Sequence, residues 1–429
     1  MPNIEWTPVV FSASGASNFF PHHLPISSHL IHPHISSSPT IKLIRESSQY
    51  AKTTHYNCTH QRRQALYALP EAHWKRLAAP PFNFLETLDR VDDAIDANAE
   101  LARAIVKASL PSFLNLSDTP PSQEHALPPQ WAGKAKYPDI DKARSTLRQF
   151  YRDWSTGGAN EREACYGPVM RALVDESTSR RGHQPTSPLK VLVPGAGLGR
   201  LVFELCLNGF EAEGNEISYH QLLASSYILN SCRQVGQHTI YPWIHTFSNH
   251  QTRANHLRGY AVPDIHCARE LERAEQENKQ IGSMAMVAAD FLCLYSDEAH
   301  ADSYDAVATV FFLDTAPNLI RYLETIYYCL KPGGLLINNG PLLWHFENNA
   351  PGGHDVDGDT DTSGIADPGS FELTDDEVMA LVSQTGFVVE SRETGIFAPY
   401  IHDPDSMLQT TYRTSFWVAR KPEADSSAP

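Results

Sequence analysis

Short apolar runs and longer apolar stripes alternate along most of this chain of 429 residues. Val191-Leu192-Val193, Met284 to Ala289, Tyr304 to Phe312 and Leu335-Leu336-Ile337 are compact and largely non-alternating. Such runs suit strands covered on both faces of a parallel sheet. Phe210 to Gly214 adds a strand after the first of these, and Phe387 to Glu390 and Tyr412 to Ala419 add two near the C-terminus, the last with alternating character. Helical spacing separates them. Leu201, Phe203, Leu205 and Cys206 form one stripe, a second helical stretch ends in the turn Leu330-Lys331-Pro332-Gly333-Gly334, and Asp375 to Thr385 predicts another helix. Farther upstream, Leu85, Leu88, Val91, Ile95 and Leu101 mark an amphipathic helix. Leu147, Phe150, Tyr151 and Trp154 share one face of a helix over Asp141 to Ser155. Strand and helix in alternation predict an α/β domain whose sheet is flanked by helices.

The pattern also divides the chain. Residues 1–40 are rich in Ser, Pro and His, including His22, His23, His29, His32 and His34, and have no apolar period. They read as a disordered extension, with metal binding by the histidines as the alternative. Residues 41–135 form a helical N-terminal region, 136–422 the α/β domain and 423–429 a tail. Within the domain, 233–283 lacks a clear period, and a loop of that length is expected to be functional or mobile. We expect it to act as a partial lid carrying Tyr241, Trp243, His245 and Asn249. Residues 350–371 form an acidic, glycine-rich loop. Asp355, Asp357 and Asp359 imitate the start of a calcium loop, but Thr360 and Ala366 stand where its glycine and final glutamate belong, so a solvated surface loop is expected.

The chemistry concentrates after the first strand. Gly195, Gly197 and Gly199 follow it directly, and glycines there permit positive φ and bring a ligand close to bare backbone. A helix starting near Leu198 would present free N–H groups. Glu216 closes the second strand, where a carboxylate can accept both hydroxyls of a ribose. A tight strand-to-helix connection without a ligand is the plain alternative. The spacing is G-x-G-x-G, unlike the G-x-G-x-x-G of dinucleotide folds, and no GK[ST] phosphate loop is present.

Composition narrows the partners. With 34 basic and 50 acidic residues the net charge is -16, which argues against nucleic acid. The seven cysteines lack CxxC spacing and read as free thiols, and no metal site is expected. No stretch approaches a membrane span, and no signal core is seen, so cytosol, or cytosol with nucleus, is expected. The sequons at Asn57 and Asn115 then read as chance matches.

Five ordered blocks carry a resemblance: VPGAGLGR at Val193 to Arg200, Gly214-Asn215-Glu216, YPWIH at Tyr241 to His245, FFLDTA at Phe311 to Ala316 and GPLLWHFEN at Gly340 to Asn348. With the LKPGG turn, they resemble the N2227-like family of class I S-adenosylmethionine-dependent methyltransferases, over about residues 48 to 422. The resemblance implies a Rossmann-like, seven-stranded, mostly parallel sheet with its last strand antiparallel, beside the N-terminal helical region. It also implies S-adenosyl-L-methionine as cofactor and methylation of an imidazole nitrogen of carnosine or a related histidine-containing dipeptide.

Specific residues follow from the matching positions. Gly195, Gly197 and Glu216 would meet the cofactor, as would Gln149 and Arg152 of RQFxRDWS, which by periodicity alone read as a solvated face. Asp290 and Phe291 would lie by the adenine, although a core role for Phe291 is equally open. Asp314, His345 and Tyr400 would be the catalytic and substrate-binding residues, and for an unselected Asp and His, turn capping is the alternative. Methylation of histidine in another peptide or protein, or a cofactor-binding regulatory protein without catalysis, are the other readings, and a homodimer through the N-terminal region is open.

Overall fold

The computed structural model describes residues 50–113, 137–181, 187–348 and 369–423. The N-terminal extension 1–40, most of the acidic loop 350–371 and most of the tail 423–429 lie outside them.

Seven strands form one sheet: β1 (Lys190–Pro194), β2 (Glu211–Glu216), β5 (Ser283–Ala288), β6 (Tyr304–Val310), β7 (Leu330–Gly340), β8 (Val388–Pro399) and β9 (Thr411–Arg420). Between β2 and β5, β3 (His238–Ile240) and β4 (Tyr260–Val262) pair antiparallel as a separate two-stranded sheet. The main order is β5-β2-β1-β6-β7-β9-β8. Pairs from β5 to β7 are parallel, and β9 runs antiparallel to both β7 and β8. The order therefore reverses between β1, which leads outward to β2, and β6. In open parallel sheets, ligands bind beyond the strand carboxyl ends at such a switch point.

The strands sit where their apolar runs demand. Val191, Leu192, Ala306, Val307, Ala308, Leu336 and Ile337 are fully buried. One core layer joins β1 to the helices Tyr137–Trp154, Ala159–Arg181 and Arg200–Leu207, and a second packs β6, β7 and β9 against Leu319–Cys329 and Asp375–Gln384. Leu147, Phe150, Tyr151 and Trp154 are buried, as their spacing requires.

Three regions differ from the sequence expectation, the first being Leu330 to Gly334, which is expected as a turn ahead of the strand but forms the opening of β7, with Gly333 at a φ of 76°. β8 runs to Pro399 instead of stopping at Glu390, although most of it is exposed. Its far half is held by ladder pairing to β9 from Thr394–Ser415 to Pro399–Thr411, which compensates for the missing apolar face. The segment 233–283, expected to be irregular, contains β3, β4 and the helices Arg253–His256 and Cys267–Gln276. It is also tied down. Asn98, fully buried in the helix Phe84–Phe113, donates from Nδ2 to the Tyr241 carbonyl at 3.0 Å and accepts from the Tyr241 N–H at 2.7 Å. His245 Nε2 meets the Tyr50 hydroxyl at 2.7 Å, and burial pushes that imidazole down to about 3, so it is neutral. His245 is thus a packing residue between this segment and the N-terminal helices. The described part of 41–135 is helical, comprising Gln61–Tyr67, Glu71–Ala78 and Phe84–Phe113.

Candidate active site

The turn after β1 brings the first site residues together. Gly195, Gly197 and Gly199 have φ of 68°, 57° and 76°, a region that penalises any side chain. At Gly195 a Cβ would also stand 2.8 Å from Phe312 Cδ2. The loop N–H groups are mostly committed internally: Ala196 donates to the Asn215 carbonyl, Gly199 to Ala196, and Gly197 to Glu216 Oε2 at 2.9 Å. The helix following the turn starts at Arg200. The loop therefore presents a shaped, side-chain-free surface to a ligand, in place of the row of free donors expected from the sequence.

Glu216 is clamped as well as buried. Its Oε2 takes the Gly197 N–H, and its Oε1 takes those of Ile217 and Ser218 at 2.9 and 2.8 Å. Burial raises its pKa, and the three N–H groups pull it back. With the Gln221 amide turned so that both its ends are satisfied, Nε2 donates to Glu216 Oε1 at 3.0 Å and Oε1 accepts from Gln149 Nε2 at 2.7 Å. Gln149 is buried, contrary to the solvated face that periodicity alone gives it. Gln221 was not singled out from the sequence, where nothing but its place five residues after Glu216 marks it.

Arg152 also lies against the glycine turn. Its Nη2 would be 3.8 Å from a Cβ at Gly197, and its guanidinium carbon is 5.4 Å from the centre of the Tyr400 ring. Arg152, Tyr166, Gly195, Ala196 and Phe311 line one cavity. Burial lowers the Arg152 pKa, but the adjacent Asp153 carboxylate more than offsets this and holds it well above its ordinary value.

A second group of candidate residues is built beyond β6. Phe311 has a φ of 52°, a strained conformation for an aromatic residue. Its ring stacks on Tyr400 at 4.7 Å and 23°, and meets Tyr412 edge-on at 5.6 Å. Three residues later Asp314 is 3% exposed in the turn Leu313–Thr315. Its Oδ2 accepts the Leu343 N–H at 2.9 Å, and its carbonyl accepts the His345 N–H at 3.1 Å. Burial raises the Asp314 pKa, while the Leu343 N–H and the nearby His345 lower it. The His345 residue itself is exposed. Asp314, His345, Tyr400, Arg152 and the glycine turn thus line the same end of the sheet. Phe311 and Tyr412 were not proposed from the sequence; the only available signal was that Phe311 stands inside FFLDTA.

Asp290 and Phe291 follow β5. Asp290 Oδ1 accepts the Cys293 N–H at 3.0 Å and caps the short helix Phe291–Tyr295. Phe291 is 4% exposed and packs against Tyr295, Phe312 and Tyr322, so its ring belongs to the second core layer. Among the described residues, no group of three or more His, Cys, Asp or Glu could hold a metal, and no helix is long and apolar enough to cross a membrane. All seven cysteines are free.

A parallel sheet with this switch point, a final antiparallel strand, a glycine turn after β1 and a buried acid closing β2 is that of a class I S-adenosylmethionine-dependent methyltransferase. The model of the carnosine N-methyltransferase family matches residues 129–423, and the chain belongs to that family. The Mus musculus carnosine N-methyltransferase is 34% identical over 383 residues, covering 89% of this chain and 86% of that protein. The enzyme of the same description from Schizosaccharomyces pombe is 36% identical over 377 residues, covering 87% and 92%. "Carnosine N-methyltransferase unmet" of Drosophila melanogaster is 34% identical over 353 residues, covering 78% and 70%. S-adenosyl-L-methionine is accordingly the cofactor. The residues present suit it: Gly195 and Ala196 of the turn line a cavity with Arg152, and among the described residues the buried Glu216 carboxylate is held by N–H donors with no cation paired to it.

Proposed function

We propose that this protein methylates an imidazole nitrogen of carnosine or a related histidine-containing dipeptide. The observation that carries the reading is Asp314, a buried carboxylate fixed by the Leu343 N–H just beyond the carboxyl end of β6. Gly195, Gly197 and Glu216 would hold the cofactor's sugar and thioether, Gln149 would brace Glu216 through Gln221, and Arg152 would pair with the methionine carboxylate. Asp290 and Phe291 would lie at the adenine end. Bound there, S-adenosylmethionine supplies an electrophilic sulfonium methyl.

The chain's own work is then positioning. A neutral imidazole is already nucleophilic at one nitrogen, so no strong base is needed. Asp314 accepts the N–H of the nitrogen that is not methylated, fixing the tautomer and stabilising the positive charge that grows on the ring. Phe311, Tyr400 and Tyr412 give that ring an aromatic wall, and aromatic faces favour a developing cation. His345 stands at the rim, where its exposed side chain can orient the dipeptide.

Incubating the purified chain with methyl-labelled cofactor and a panel of carnosine, free histidine, related dipeptides and a cell extract tests this. Label should enter carnosine on the imidazole; incorporation confined to extract proteins would overturn the dipeptide reading.

The pH dependence has a fixed sign. As pH falls through ~6.5 the substrate imidazole takes a proton and loses its nucleophilic lone pair. Asp314, with its pKa raised by burial, takes a proton at a higher pH than an ordinary carboxylate and then ceases to be a charged acceptor. Both changes act in the same direction, so kcat/KM should fall on the acid side and level off above ~7. A kcat/KM that rises on acidification would contradict the assignment.

A further inference from the structure

Arg152 does not hold its place alone. Asp153, its neighbour in the chain and 1% exposed, grips one edge of the guanidinium: Oδ1 accepts from Nε at 2.7 Å and Oδ2 from Nη2 at 3.0 Å. Tyr166, buried in the helix Ala159–Arg181, donates its hydroxyl to the same Oδ1 at 2.8 Å. A guanidinium has two forked edges, and this grip occupies Nε with Nη2, leaving the Nη1 and Nη2 edge for a second carboxylate. That group lies against Gly197 on one side and the Tyr400 ring on the other.

We propose that Asp153 and Tyr166 are positioning residues for cofactor recognition, locking Arg152 so that its open edge meets the methionine carboxylate. The inference rests on the reading of Arg152 given above. A free arginine side chain gives up much rotamer freedom on pairing, and one already clamped does not. Burial pushes the Tyr166 phenol well above its ordinary value, so its hydroxyl keeps the proton it donates. Asp153 also partly neutralises Arg152, which by charge alone would weaken attraction for an incoming carboxylate. Orientation and charge therefore make opposite predictions for its removal.

Two ligands separate the possibilities in calorimetric titrations of the full chain. S-adenosylhomocysteine carries the amino acid end, whereas 5′-methylthioadenosine keeps the nucleoside and thioether without it. Tyr166→Phe should raise Kd for S-adenosylhomocysteine about 10-fold, and Asp153→Asn about 100-fold, in line with hydrogen bonds to charged groups. Kd for 5′-methylthioadenosine should stay within about twofold, because that ligand makes no carboxylate contact. Equal weakening of both ligands would mean a purely structural role, and unchanged or tighter S-adenosylhomocysteine binding would overturn the positioning role. Tyr166→Phe removes one hydroxyl from an intact ring, so it decides the matter if Asp153→Asn does not fold. Arg152→Lys provides the reference: if it fails to distinguish the two ligands, the reading of Arg152 itself falls, independently of Asp153 and Tyr166.

Discussion

Asp264→Ala is expected to cost about 3–5 kcal/mol of folding stability, because it takes the carboxylate from the buried Arg162 guanidinium and leaves Arg200 with Glu204 alone, at 2.7 Å from its Nε. Asp264 Oδ2 takes Arg162 Nη2 at 2.8 Å and Oδ1 takes Arg200 Nη1 at 2.7 Å. The side chains of Asp264, Arg162 and Arg200 are only 6%, 9% and 7% exposed. These arginines do more than pair with Asp264. Arg162 Nη1 donates to the carbonyls of Arg152 and Ser155 at 2.6 and 2.8 Å, and Arg200 Nη1 to that of Asp153 at 2.9 Å. Asp264 closes the circuit by donating its own N–H to the Trp154 carbonyl at 2.9 Å. The segment 233–283 is thereby locked to the backbone that carries Arg152 and Asp153. Thermal unfolding of the variant should occur about 5 °C lower. A loss below about 1 kcal/mol would show that solvent reaches and screens these groups.

None of that network is legible along the chain, since Asp264 lies 102 residues from Arg162 and 64 from Arg200. Periodicity reports which side of an element is apolar, and it located β1, β6 and the buried face of Tyr137–Trp154 because those surfaces face the core. It is silent about what covers a polar face. Gln149 and Arg152 looked solvated for that reason, yet the glycine turn, Gln221 and Tyr400 lie over them. The short strands β3 and β4 are three residues each and carry too little pattern to be predicted. The outer half of β8 has no apolar face to betray it, because pairing rather than burial maintains it. The glycine turn and Glu216 were readable because positive φ and an acid at a strand end leave residue-type signatures. Phe311 left none: its strained φ falls on an aromatic residue, and only the structure shows it stacked on Tyr400.

Asp314→Asn should lower kcat by about 100- to 1,000-fold, the range expected when one preorganised group that meets transition-state charge is lost. The substitution nearly preserves shape, and the amide oxygen can still accept the Leu343 N–H, so the turn Leu313–Thr315 should stand. On the proposed reading, what disappears is the negative charge that would face the imidazolium as it forms. In a buried place that charge is screened little by water, which is why its loss should fall on the transition state more than on the neutral substrate. KM for carnosine should therefore change less than kcat, and cofactor affinity should not change, because the proposed reading assigns Asp314 to the acceptor and not to the cofactor. The acid limb of the pH profile should simplify to that of the substrate imidazole alone. Full turnover with unchanged cofactor affinity would remove Asp314 from the reaction and leave it as a buried brace for Leu343 and His345.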